Sequence, residues 1–221
     1  MTCGFGFEVA TRLKHVFLLL LLALAGCQTS SGVAVDRIAD VRLAGAYIPL
    51  RKSVHLGIDH DAGAAVAILP GIAVTCAHNA NLIDPALVLG RSARYDLLFF
   101  RTPRNLAPKT GAPRRGEAIL SYGQSADDPR IRLAHGVVRI TDSMPLCTLC
   151  GPRSVFGFEG DAGPGFSGGP VIDAADGKLL GIVFSYDDPQ KGHRPMIYAY
   201  DMALVRAELK ALPGPVSKAS D

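Results

Sequence analysis

Apolar residues fall in short blocks along this chain, separated by clusters of Pro, Gly and Asp. Gly63 to Leu69 and Ile72 to Cys76 flank Pro70-Gly71 and read as two strands joined by a tight turn. Further short strands are expected at Leu87–Leu89, Tyr95–Arg101, Glu117–Tyr122, Ile131–Ile140, Ser154–Phe158, Pro170–Ile172, Leu179–Tyr186 and Met196–Tyr200. The separators include Pro103 to Pro113 and the stretch Ala126-Asp-Asp-Pro129. Only the segment after His78 and the segment Asp201 to Leu212 have a helical pattern. No repeat of fixed period is present. Many strands, few helices and no βαβ rhythm point to an all-β barrel or sandwich.

The first apolar run is of another kind. Arg12, Lys14 and His15 precede Val16 to Ala25, a run too short to span a bilayer as a mature helix. It ends in Leu24-Ala25-Gly26-Cys27, which resembles a bacterial lipobox. That resemblance implies cleavage before Cys27 and acylation of Cys27, anchoring the exported protein in the cell envelope. Gln28, standing where Asp would signal inner-membrane retention, implies the outer membrane, facing the periplasm. An ordinary signal peptide cleaved nearby is the plainer alternative. The expected organisation is a signal peptide at 1–26, a polar tether at 27–44, one catalytic domain at 45–212 and a tail at 213–221.

Composition narrows the class. Apolar residues make up 48% and charged ones 19%, which excludes a disordered chain. The formal net charge of +3 becomes +2 once Arg12, Lys14 and Glu8 are set aside with residues 1–26. No basic run with interleaved aromatics is present, so nucleic acid is not an expected partner. Cys3 would leave with the signal and Cys27 would carry lipid, which leaves Cys76, Cys147 and Cys150. Cys76 lies on an apolar strand and reads as core packing. Cys147 and Cys150 have redox or half-zinc-site spacing. With no second Cys pair to complete a zinc site, a local disulfide is expected in an oxidising compartment, and no metal.

The chemistry concentrates in Gly163-Pro164-Gly165-Phe166-Ser167-Gly168-Gly169-Pro170, which no helix or regular strand accommodates. It must be a shaped loop with one hydroxyl, Ser167, at its middle. Backbone N–H groups of Gly165 and Ser167 aimed at one point would supply what acyl transfer needs beside a nucleophile. The plainer reading is a Gly-rich turn with an incidental Ser. A serine hydroxyl needs a base, and the first strand pair ends in Thr75-Cys76-Ala77-His78.

The two stretches together resemble the trypsin-like (chymotrypsin-fold) serine endopeptidases, particularly the bacterial branch related to the high-temperature-requirement proteases. Thr75-Cys76-Ala77-His78 stands for that family's Thr-Ala-Ala-His, and Gly165-Phe166-Ser167-Gly168-Gly169-Pro170 for its Gly-x-Ser-Gly-Gly-Pro. The likeness extends over roughly residues 46 to 210. It implies two six-stranded antiparallel β-barrels with the active site in the cleft and a C-terminal helix. It also implies a Ser-His-Asp triad acting on peptide bonds of protein or peptide substrates, with no metal or organic cofactor.

The third member of the triad is sought among the acids. Asp96 heads a strongly apolar stretch, where a carboxylate is costly unless an imidazole N–H or a similar donor satisfies it. Asp96-Leu97-Leu98-Phe99-Phe100 matches the family's Asp-hydrophobic-Ala-hydrophobic-hydrophobic pattern. The interval from His78 is short, so the hairpin between must be short. Asp84 is the alternative, though Asp84-Pro85 has the composition of a turn.

Two departures from the family matter, at Phe166 and after Leu212, and the pocket residues stand beside them. Phe166 replaces the acid that pairs with a newly cut N-terminus in the digestive enzymes, so activation by that ion pair is not expected. Asp161 matches the position of their basic-selective acid, with an exposed loop acid as the plainer reading. Phe184-Ser185-Tyr186 resembles the strand that binds substrate backbone, with Tyr186-Asp187 standing for Trp-Gly at the pocket entrance. His193 follows on a loop, where a solvated histidine is expected. No peptide-binding module is expected after Leu212. A catalytically silent lipoprotein that binds peptides or a partner in the same cleft is the competing function.

Overall fold

Pro70-Gly71 makes the expected turn, with Gly71 at φ +77°, a conformation that favours glycine. It joins β3 (His60–Leu69) to β4 (Ile72–Thr75) as an antiparallel pair. The computed structural model describes residues 31–53, 60–125, 128–141, 154–187 and 194–213. Residues 1–30, with the expected signal peptide and Cys27, and Cys147, Cys150 and His193 lie outside the described residues.

Around this hairpin runs a five-stranded antiparallel sheet. With β2 (Tyr47–Ser53), β5 (Val88–Arg91) and β6 (Leu98–Arg101), its order is β2-β3-β4-β6-β5. The second sheet contains β7 (Ala118–Gly123), β8 (Ile131–Ile140), β9 (Val155–Gly160), β10 (Pro170–Asp173), β11 (Leu179–Tyr186) and β12 (Met196–Asp201). Its order is β8-β7-β10-β11-β12-β9, and β9 pairs back onto β8, which closes six strands into an antiparallel barrel. The fold is therefore the expected all-β, chymotrypsin-like one. Its second half is a closed six-stranded barrel, and the described residues of its first half form five strands rather than six.

Hydrophobic pattern explains the placement of β6. Leu98 and Phe100 pack with Leu50, Ala65 and Ala73 on one side, while Phe99 faces Val66, Val74 and Ile182 on the other. Both faces of the strand are buried, so its sequence is a continuous apolar run rather than an alternation. A separate cluster fills the closed barrel, with Ile119, Phe156, Phe158, Phe166, Val171 and Ile197 among its members.

Several elements differ from expectation at their ends. The helical segment after His78 is a 3-10 turn, Ala77–Leu82, and a second 3-10 turn, Pro85–Leu87, leads into β5. Tyr95 and Asp96 precede β6 instead of lying on it, in a turn where the Ser92 N–H meets the Leu97 carbonyl at 2.9 Å. Residues within the stretch read as a tether are structured. A strand, β1 (Val33–Val35), pairs with β8, and a short helix, α1 (Val41–Ala46), is capped by Asp40, whose Oδ1 accepts the Leu43 N–H at 2.7 Å. The C-terminal helix α2 (Met202–Lys210) starts where Asp201 Oδ1 accepts the Leu204 N–H at 2.7 Å.

Candidate active site

His78 leaves β4 through the 3-10 turn, and Asp96 waits at the entrance to β6, which is paired with β4. That adjacency brings the two side chains together. His78 Nδ1 lies 2.5 Å from Asp96 Oδ2, and the His78 main-chain N–H donates to Asp96 Oδ1 at 3.0 Å. The carboxylate thus fixes both the ring and the backbone that carries it. Its hydrogen bond raises the pKa of His78 above the ordinary 6.5, against a smaller opposing effect of burial. Burial pushes Asp96 up, but the bonds and charge of His78, with the main-chain N–H groups of His78 and Ala77, leave it below the ordinary carboxylate value. Asp84 does something else: its Oδ1 caps the second 3-10 turn by accepting the Ala86 N–H at 2.9 Å.

Aromatic rings back this pair. The Asp96 N–H donates to Tyr200 Oη at 3.2 Å, and the Tyr200 ring stacks on Phe184 with centroids 4.0 Å apart. Burial pushes the Tyr200 phenol up to about 12, so it stays neutral beside the carboxylate. Cys76 is fully buried and its thiol donates to the Val183 carbonyl at 3.2 Å. Burial and then the Asp96 charge hold that thiol protonated, so Cys76 is packing, as its strand position suggests. Cys76, His78 and Asp96 do offer metal-ligand atoms within 4.8 Å of one another. A thiol kept protonated and an imidazole already bonded to the carboxylate are a poor donor set for a cation.

The serine loop is two linked turns. Phe166 N–H bonds to the Gly163 carbonyl at 3.1 Å, with Pro164 second and Gly165 third at φ +85°. Gly169 N–H bonds to the Phe166 carbonyl at 2.8 Å, with Ser167 second and Gly168 third at φ +79°. A positive φ at the third position is type II geometry, which requires glycine there. Space requires it as well. A Cβ on Gly165 would fall 1.9 Å from the Gln124 carbonyl oxygen, and one on Gly168 would fall 2.2 Å from the Ala64 carbonyl oxygen. Neither turn uses the N–H of Gly165 or of Ser167.

Phe166 is wholly buried in the barrel core, its ring tight against the glycine backbones of Gly123 and Gly32. Gln124 N–H donates to the Gly165 carbonyl at 2.9 Å. The chain entering β1 covers this arrangement: Gly32 N–H bonds to the Asp161 carbonyl at 2.8 Å, and Arg132 reaches the carbonyls of Ser31 at 3.0 Å and Gly32 at 2.7 Å. An apolar anchor thus holds the loop where an ion pair would hold it in the digestive enzymes.

The remaining candidates are placed less centrally. Asp161 is 48% exposed and faces Arg194 at 3.8 Å, which favours the reading as a surface acid. Phe184, Ser185 and Tyr186 form the end of β11, and Tyr186 is exposed. Beyond them Tyr198 Oη donates to Asp187 Oδ2 at 2.5 Å, a contact between residues eleven apart that no local pattern signals. Asn79 and Tyr200 were likewise missed. Asn79 directly follows His78 and is 5% exposed. Its carboxamide nitrogen donates to Thr75 Oγ1 and to the Ser167 carbonyl, each at 3.0 Å. The Ser167 carbonyl also accepts the Ala64 N–H at 3.0 Å. Ser167 is thus fastened to the segment that carries the imidazole.

Comparison with known proteins bears on the fold. The chain is similar to the HtrA-type protease AlgW solved with a tripeptide, at 21% identity and a TM-score of 0.62, over 76% of this chain and 60% of that one. It is similar to the active form of the Rv3671c protease of M. tuberculosis, at 15% identity and a TM-score of 0.56, over 80% and 85% of the two chains. The apo MamO protease domain of Magnetospirillum magneticum matches at 12% identity and a TM-score of 0.54, over 76% and 97%. At these identities the likeness establishes the fold alone. No curated protein sequence matches the chain. The model of the trypsin-like peptidase domain matches residues 60–182, more than half of the chain. The matched span runs from β3 through the His78, Asp96 and Ser167 motifs, and the chain belongs to the trypsin-like peptidase domain family.

Proposed function

We propose that this chain is a serine endopeptidase that cleaves peptide bonds through an acyl-enzyme. The observation that carries the reading is the bond between His78 Nδ1 and Asp96 Oδ2, on a histidine whose neighbour Asn79 holds Ser167. With Nδ1 engaged, Nε2 is the free ring nitrogen, and it takes the proton from Ser167 Oγ as that oxygen attacks the substrate carbonyl. Asp96 remains ionised and stabilises the imidazolium. The N–H groups of Gly165 and Ser167, unused by the two turns, receive the oxyanion. The imidazolium gives its proton to the leaving amine, and water, activated by the same ring, releases the acyl group.

Peptides as substrates are supported by the related AlgW structures, which hold a tripeptide and a decapeptide. Acylation of Cys27 would keep the enzyme at the envelope, probing exported proteins from the periplasmic face of the outer membrane. Asp161, paired with Arg194 at the surface, gives no support for selection of basic residues. The test is covalent: a fluorophosphonate should label the full chain, and Ser167→Ala should abolish the label. Absence of label on the folded wild-type chain would favour the silent peptide-binding lipoprotein.

A further inference from the structure

Asn79 belongs to a closed circuit of hydrogen bonds that spans the two halves of the fold. Its Nδ2 gives one hydrogen to Thr75 Oγ1 and the other to the Ser167 carbonyl, each at 3.0 Å, which uses both donors of the amide. Thr75 Oγ1 passes the chain on to the Ala64 carbonyl at 2.7 Å, and the Ala64 N–H returns to the Ser167 carbonyl at 3.0 Å. Thr75 and Ala64 are fully buried, so water does not replace their bonds in the circuit. The packing around the circuit is close. A Cβ on Gly63 would lie 2.7 Å from Asn79 Nδ2, and one on Gly168 would lie 2.2 Å from Thr75 Oγ1.

The circuit acts on one particular peptide. The Ser167 carbonyl and the Gly168 N–H form the central peptide of the Phe166–Gly169 turn, the unit whose flip distinguishes type I from type II. One end is held by Asn79 and Ala64, and the other donates to the Val183 carbonyl at 2.8 Å on β11. Asn79 is also the residue after His78, inside the same 3-10 turn. One amide therefore joins the backbone of the imidazole to the backbone of the hydroxyl.

We infer that Asn79 is a positioning residue for the nucleophile: by holding the Ser167 carbonyl it sets the turn that aims the Ser167 hydroxyl at His78. The inference rests on the serine-protease reading and adds to it a residue outside the triad and the oxyanion donors. Misplacing reacting groups by about 1 Å costs on the order of 10²-fold in rate. Val183 and Ala64 still hold the peptide when Asn79 is removed, so a loss of roughly ten- to a hundredfold is expected.

The experiment measures fluorophosphonate labelling rates and ester hydrolysis in the full chain for wild type, Asn79→Ala and Asn79→Asp, per folded molecule. Asn79→Asp keeps the shape but sets a carboxylate oxygen against the Ser167 carbonyl. Positioning therefore predicts that Asp is at least as slow as Ala. The loss should fall in kcat with KM within about twofold, and Asn79→Ala should leave the pH midpoint set by His78 and Asp96 in place. A space-filling role predicts the opposite order, with Asp near wild type. Wild type labelled at Ser167 with Asn79→Asp labelled within twofold of it overturns this inference alone. A wild-type chain that takes no label overturns the protease reading and this inference with it. Should Asn79→Ala not fold, the isosteric Asn79→Asp still decides.

Discussion

The carboxylate of Asp96 engages His78 twice, at the ring Nδ1 and at the main-chain N–H. A single acid therefore fixes the tautomer of the base and the position of the turn that bears it. Its place just before β6, rather than within the strand, makes this possible: a side chain on that doubly buried strand would point into one of two apolar clusters.

The pair has a pH signature. His78 titrates above 6.5 because Asp96 holds its proton, so the labelling rate should rise with pH through a midpoint above that value. Asp96→Asn should lower the midpoint and cut the plateau by roughly 10⁴, since the amide favours the wrong tautomer. A rate profile of both proteins between pH 5 and pH 9 measures this.

Stability should follow the same linkage. A raised His78 pKa contributes stability that is full below the unfolded value and is lost as pH rises through the folded one. A lowered Asp96 pKa contributes stability that is present above its unfolded value and is lost as pH falls through the folded one. The difference in urea midpoint between wild type and Asp96→Asn should thus be largest in mildly acidic solution. It should shrink toward alkaline pH and toward strong acid.

Phe166 anchors the Gly163–Phe166 turn by burying its ring in the barrel core. Phe166→Ala should cost about 3–5 kcal/mol in urea unfolding, the range for emptying an aromatic site in a packed core. The labelling rate of the molecules that remain folded should fall too, because the Gly163–Phe166 turn ends on that residue. Phe166→Asp should not recover activity, since the carboxylate would replace a ring packed in the apolar barrel core and against the backbones of Gly123 and Gly32.

Gly168 offers a sharper test of the serine turn. Gly168→Ala would put a methyl 2.2 Å from Ala64 O and Thr75 Oγ1 at a φ of +79°. The variant should lose labelling by at least a hundredfold, or fail to fold, as judged by circular dichroism.

Anchoring is tested separately. Cys27→Ser should move the protein from the membrane pellet to the soluble fraction on cell fractionation. Retention in the pellet would remove the lipoprotein reading and leave the catalytic one untouched.

How much of this could be read from the chain depended on how local the signal was. The Pro70-Gly71 turn and the serine loop are written in neighbouring residues and formed where expected; the expected strands formed with ends shifted by up to three residues, and β1 and β2 were not among them. His78 and Asp96 were legible because a charge heading an apolar run demands a partner. The strand expected from Tyr95 starts at Leu98, because Tyr95, Asp96 and Leu97 lie in the turn closed by the Ser92 N–H and the Leu97 carbonyl. The circuit through Asn79 was not legible: Thr75 and Ala64 lie in the same half of the fold as Asn79, but Ser167, which closes the circuit, comes from the other. The tether expected at 27–44 is structured from residue 31 on. Its order comes from β8 and Arg132, which lie about a hundred residues away.

Mass spectrometry of the fluorophosphonate-treated full chain probes the central claim most directly. One adduct is expected, on Ser167, formed in wild type and missing from both Ser167→Ala and His78→Ala. A folded wild-type chain without adduct, or an adduct that survives Ser167→Ala, would contradict it.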